Sequence, residues 1–85
     1  MSIFAVIPTS ESPPILDSIR ASGLPFFLLP RGEILVAYNG TSKALSDAIG
    51  ISEGDTGHGV IFSVSSYFGR TTPDTWEWIK ANWSN

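Results

Sequence analysis

Glycine and proline divide this chain more strongly than any other feature of its sequence. Eight glycines and six prolines stand among 85 residues. Proline fixes φ and removes a backbone donor, while glycine adopts dihedral angles that other residues avoid, so long uninterrupted helices or strands are excluded. We therefore expect short elements packed into one domain over residues 1–85, since a chain of this length is near the low end of independently folding units.

The first half predicts a strand, a helix and a hairpin. The run "SIFAVIP" ends at Pro8 and is continuously apolar, which is typical of a strand covered on both faces. A helix follows, with Ser12 as its N-cap, Pro13 at its first position and Gly23 as its stop. Apolar runs on either side of the turn residues 30–32 predict a hairpin.

The second half predicts a helix, a strand and a further helix. The second helix begins at Thr41 or Ser42 and ends at Gly50. A fourth strand is predicted over "VIFSVSSYFG", and its alternation places three side chains together on a core face: Val60, Phe62 and Val64. The last helix has Thr72 as its N-cap and Pro73 at its first position.

This order of elements predicts an α+β fold of the ferredoxin-like β-α-β-β-α-β type, with a four-stranded antiparallel sheet and an additional C-terminal helix. Two crossover helices on one face leave the other face of the sheet bare. Helical spacing puts Trp76, Ile79 and Trp83 on one stripe that can cover that face. Trp78 lies roughly 160° away from Trp76, on the side of Asn82. Two roles are open for Trp78, a binding anchor or a cover for a sheet edge.

Composition limits the partners. Charged residues make up 15% of the chain, against roughly 25% in typical soluble domains, and the net charge is −3. The chain has no basic cluster, so we expect no binding to duplex nucleic acid. An uncharged surface indicates a face covered by a second copy or another protein, or else a surface rich in serine and threonine.

Several kinds of chemistry are excluded or disfavoured. The chain has no cysteine, so disulfides, thiolate catalysis and cysteine zinc sites are excluded. The apolar run near the amino terminus is too short to span a membrane and follows no positive charge, so we expect a cytoplasmic protein without membrane contact. No phosphate-loop spacing occurs, and we expect no cofactor.

The lone histidine, His58, is the one side chain that invites a catalytic or metal hypothesis. Glu53 and Asp55 are near it in sequence, and Ser65 follows. A metal site needs three or four converging ligands, and a Ser65-His58-Asp55 relay has no supporting motif, so we predict no metal and no catalytic residues. A solvated loop histidine is the favoured interpretation, with a pH-sensitive interface contact as the alternative.

The stretch "RGEILVAY" resembles the signature of the RNA-recognition motif. It matches at Arg31, Gly32, Val36 and Tyr38, and Ile3 with Phe4 loosely resembles that family's second signature. The resemblance implies single-stranded RNA binding on the sheet. The sequence departs from the signature where stacking aromatics belong, because Glu33 and Leu35 stand there.

Taken together, the residues favour a small non-catalytic protein-interaction module of the regulator or inhibitor type, such as a bacterium or phage carries, acting as a homodimer. One expected contact surface is aromatic and lies on the last helix and the turn before it: Trp78, Asn82, Tyr67, Phe68 and Arg70. The other is an exposed edge strand; the run "PFFLLP" is an edge strand in the predicted sheet order, and its flanking prolines limit unwanted pairing. We expect an Arg70–Asp74 ion pair to order that turn. The alternative is a small-molecule, anion-binding or enzymatic cleft at a dimer interface, with Ser63, Ser65, Tyr67, His58 and Arg70 as ligand contacts. RNA binding comes third.

Overall fold

The computed structural model describes residues 2–10 and 14–83, and it contains an antiparallel sheet and helices. The α+β class and the four-stranded antiparallel sheet are confirmed. The predicted start of the first helix, at Ser12 and Pro13, lies outside the described residues. In chain order the elements are β1 (Ser2–Pro8), α1 (Pro14–Ser22), β2 (Phe26–Leu28), β3 (Ile34–Tyr38), α2 (Ser42–Ala48), β4 (Gly59–Ser63) and α3 (Pro73–Asn82).

The strands lie in the order β2-β3-β1-β4, and each neighbouring pair is antiparallel. β1 lies between β3 and β4, which explains why its run is apolar at nearly every position. β2 and β3 form a hairpin, in which the Leu29 N–H donates to the Glu33 carbonyl at 2.8 Å. Gly32 has a φ of 102°, so the turn uses the conformational freedom of glycine.

One face of the sheet carries the main core. Alternate side chains of β1 and β3 point to this face and meet apolar side chains of α1 and α2. The fully buried members are Phe4, Val6, Ile15, Ile19, Ile34, Val36, Leu45 and Ile49. Both crossover helices therefore cover the same face, and α3 is left to cover the other.

The other face is covered by α3. Ile79 is 8% exposed and Thr75 is 6% exposed, and α3 packs against β1. Trp76 and Trp83, which the predicted stripe placed beside Ile79, are partly buried and pack against Tyr67. The contact between α3 and the sheet therefore centres on Thr75 and Ile79. Trp76 and Trp83 lie to one side of this contact, against Tyr67.

β4 differs from its prediction in length and in the orientation of its side chains. It ends at Ser63 instead of continuing through Gly69. Ile61 lies beside Val6 in the β1–β4 register and packs against the core under the helices. Val60 and Phe62 therefore point to the α3 face, where they are 45% and 53% exposed. The predicted core face of this strand was wrong, because the pairing with β1 turns the mixed set with Ile61 to the main core, although Val60 and Phe62 form the more apolar set.

Candidate interaction surface

Tyr67 joins the segment after β4 to α3. Its ring centroid lies 5.8 Å from that of Trp76 and 4.9 Å from that of Trp83, the latter edge to face. Residues seven apart lie on the same side of a helix, so Trp76 and Trp83 can both contact Tyr67. Tyr67, Phe68, Trp76 and Trp83 are called the aromatic surface below.

Phe68 is the most exposed apolar side chain of the described residues. Its relative exposure is 103%, whereas Tyr67 beside it is 39% exposed. Two shallow clefts of about 300 and 320 Å³ adjoin it, and both are lined by Tyr67, Phe68 and Trp76. The second also reaches Leu35 and Ile79. An apolar ring in full contact with water next to apolar clefts is typical of a contact surface.

The Arg70–Asp74 ion pair expected from the sequence does not form. The carboxylate of Asp74 accepts hydrogen bonds from the Thr72 hydroxyl and, at 3.0 Å, from the Thr75 N–H. The hydrogen bond from Thr72, the larger effect, and that from Thr75 lower the pKa of Asp74 below its usual value. The prediction failed because a short carboxylate finds local donors at a helix start before it reaches a flexible arginine.

Trp78 and Asn82 lie on the side of α3 that faces the β2 edge. Trp78 is half-buried, and its ring centroid is 6.2 Å from that of Phe27 in β2. The Asn82 side-chain amide donates to the Trp78 carbonyl at 2.9 Å. Of the two roles considered for Trp78, the contact with Phe27 favours the cover of a sheet edge.

The charges of this region balance. Residues 67–83 hold two basic side chains, Arg70 and Lys80, and two acidic ones, Asp74 and Glu77, whereas the whole chain has a net charge of −3. The acidic excess therefore lies elsewhere in the sequence. Neither a polyanion nor a polycation is attracted to this segment by its net charge, and an identical segment is not repelled.

His58 belongs to a different region. It lines a cleft of about 500 Å³ with Thr9 and Glu53, and its backbone N–H donates to the Ser10 hydroxyl at 3.1 Å. Ser65 is exposed beyond the other end of β4, so a single chain does not bring His58 together with it. Within residues 2–10 and 14–83, no cluster of three His, Asp or Glu side chains is placed to hold a metal ion.

Phe4 and Tyr38, the two aromatic residues that resemble the RNA-recognition signature, lie on the face of the sheet covered by α1 and α2. Phe4 is 1% exposed, and its ring meets that of Tyr38 edge to face at 6.2 Å. Phe4 therefore offers no free ring on which a base could stack.

Comparisons of the chain with protein families, with curated proteins and with solved structures found no match. In the described part of the chain, no helix has the length and apolar character needed to cross a membrane.

The sequence pattern placed Val60 and Phe62 in the core and did not predict that both are exposed. A signal for them is present in the sequence. Residues 56–69 contain no Asp, Glu, Lys or Arg, although they include a strand that lies at an edge of the sheet. A long uncharged stretch on an edge strand is unusual, because edges are commonly protected by charge.

Proposed function

We propose that this chain is a small non-catalytic protein-interaction module of the regulator or inhibitor type, which works as a homodimer in the cytoplasm. The observation that carries the proposal is the full exposure of Phe68 on the aromatic surface. The ferredoxin-like assignment is part of the proposal, and the central positions of β1 and β3 in the sheet support it.

The energetic reason is the apolar area that Phe68 leaves in water. A phenylalanine side chain presents roughly 150–250 Å² and gains about 1.5–3 kcal/mol when it is fully buried. The packing of Tyr67 against Trp76 and Trp83 holds the neighbouring backbone in place, so part of the entropy of ordering this segment is already lost in the free chain. An exposed aromatic side chain on an ordered backbone beside a cleft can supply much of the binding energy of an interface.

A second copy is the partner that fits best. Symmetric dimers use the same patch on both copies, so the patch must not repel itself. Residues 67–83 meet this condition because their charges sum to zero. Phe68 also lies next to the two clefts that a second Phe68 can enter.

The test compares two exposed apolar positions. Phe68→Ser is expected to weaken self-association, measured by sedimentation equilibrium, and to leave the free energy of unfolding of the monomer nearly unchanged. Leu28→Ser is the matched control, because Leu28 is also exposed, at 44%, but lies in β2, at the edge of the sheet opposite to β4. Equal association of the two variants and the unaltered chain would rule out the aromatic surface as the contact.

A further inference from the structure

The outer edge of β4 carries backbone groups without a partner. The Thr9 N–H donates to the His58 carbonyl at 2.8 Å, and the Val64 N–H donates to the Ile3 carbonyl at 3.0 Å. In an antiparallel pair every second residue bonds to the neighbouring strand, so Val60 and Phe62 bond to β1. The backbone N–H and C=O groups of Gly59, Ile61 and Ser63 therefore point away from the sheet, and no hydrogen bond to them occurs within the described residues.

The two edges of this sheet are protected very differently. β2, at one edge, has three residues, lies between Pro25 and Pro30, and has Trp78 against Phe27. β4, at the other edge, has five residues and contains no proline or charged side chain. Short length, proline and cover are the usual devices against strand pairing, and β4 lacks all of them.

We propose that β4 pairs antiparallel with β4 of a second copy, around a two-fold axis at Ile61, to make one continuous sheet. This inference rests on the proposed self-association and specifies how it is built. In this register Ile61 meets Ile61 of the second copy, and Gly59 meets Ser63 of the second copy. Each of these residues donates its N–H and accepts at its C=O, so no outward group is left over.

The side chains agree with this register. Val60 of one copy lies opposite Phe62 of the other, in a pair without backbone hydrogen bonds, where Cα atoms approach to roughly 4.5 Å. These are the two β4 side chains that point to the α3 face and stay exposed in a single chain. Apolar pairs directly across an antiparallel ladder stabilise it, so pairing covers what the fold of one chain does not.

Charge favours a second copy over another peptide. Near a two-fold axis every side chain approaches its own equivalent, so a charged residue there would meet a like charge. Residues 56–69 carry no Asp, Glu, Lys or Arg, and this stretch includes all of β4. The chain as a whole has a net charge of −3, whereas two copies can meet along the uncharged β4 without repulsion between side chains.

The β4 seam also agrees with the position of α3. Val60 and Phe62 point to the face of the sheet that α3 covers. A two-fold axis perpendicular to the sheet keeps both copies of α3 on that face of the continuous sheet.

Amide exchange at alternate residues is the direct test. In the monomer, the amides of Val60 and Phe62 are protected by β1, and those of Gly59, Ile61 and Ser63 exchange freely. We expect the latter three, followed by NMR in D₂O, to slow as the protein concentration rises through the range in which the mass doubles. A dimer in which they exchange as fast as in the monomer overturns this inference and leaves the proposed function standing.

Two variants test the same edge by mass. Val60→Lys is expected to abolish the dimer, whereas Leu28→Lys, at a site of nearly equal exposure on β2, is expected to retain it. Ser63→Pro removes one outward N–H at an exposed position and is expected to weaken the dimer without unfolding the chain. A folded Val60→Lys variant that dimerises like Leu28→Lys contradicts the β4 pairing. If the unaltered chain stays monomeric at every concentration, the proposed function fails together with it.

Discussion

At the scale of single residues, local hydrogen bonds decide where polar side chains go at the start of α3. Asp74 accepts from Thr72 and Thr75, whereas the sequence suggested a partner in Arg70. Sequence spacing predicted the helix start at Thr72 and Pro73, because both residue types have strong positional preferences there. It did not predict the partner of the carboxylate, because several donors lay within its reach.

The lowered pKa of Asp74 makes a prediction about pH. The group loses its proton more readily in the folded chain than in the unfolded chain, so its charge stabilises the fold above the usual value of 3.8. That contribution is lost as the pH falls through the folded pKa, which is lower. Asp74→Asn is therefore expected to lower Tm slightly near neutral pH and to have the same Tm as the unaltered chain in stronger acid.

Thermal unfolding followed by circular dichroism over a pH series measures this difference. Asp17→Asn, at an exposed position on α1, is the control for the loss of one negative charge. A Tm difference between Asp74→Asn and the unaltered chain that persists unchanged in strong acid would contradict the role given to these hydrogen bonds.

At the scale of elements, α3 and β4 show what a periodic sequence pattern can and cannot predict about burial. The pattern predicted that α3 covers the second face of the sheet, and the burial of Ile79 at 8% exposure confirms this contact. For β4 the pattern predicted that the apolar set with Val60 and Phe62 faces the core, whereas the register with β1 puts Ile61 of the mixed set there. Register depends on contacts between distant parts of the chain, so a local pattern does not determine it.

Ile79→Ala tests the contact between α3 and the sheet. Removing a buried isoleucine side chain typically costs about 2–5 kcal/mol, and the value here is expected near the lower end because Ile79 keeps 8% of its surface exposed. Urea unfolding measures the change in the free energy of unfolding. Lys80→Ala, at the exposed next position of the same helix, is the control and is expected to change it by less than about 0.5 kcal/mol. Equal effects of the two substitutions would mean that α3 does not pack as described.

Trp78→Ala tests whether Trp78 covers the edge of the sheet or acts as a binding anchor. Because Trp78 packs on Phe27 of β2, its removal is expected to lower the free energy of unfolding and to leave the monomer–dimer equilibrium unchanged. Urea unfolding and solution mass, measured on the same variant, distinguish these effects. Loss of the dimer with full stability would instead identify Trp78 as a binding anchor.

At the scale of the whole molecule, the sheet has one protected edge and one open edge. The sequence alone predicted the element types, the hairpin and the α+β class, because glycine, proline and apolar periodicity are local signals. Its low charge indicated a covered surface, and two places were open for it: the last helix, since the three tryptophans lie in or directly after it, and the edge strand over "PFFLLP". The exposure of Phe62 on β4 emerged only from the register with β1, which turns this side chain away from the main core.

Self-association is the central claim of this account, and solution mass measures it most directly. Light scattering of the unaltered chain through a dilution series should give twice the monomer mass of 9.2 kDa at high concentration and fall toward that mass on dilution. A mass of 9.2 kDa at every concentration would contradict the account.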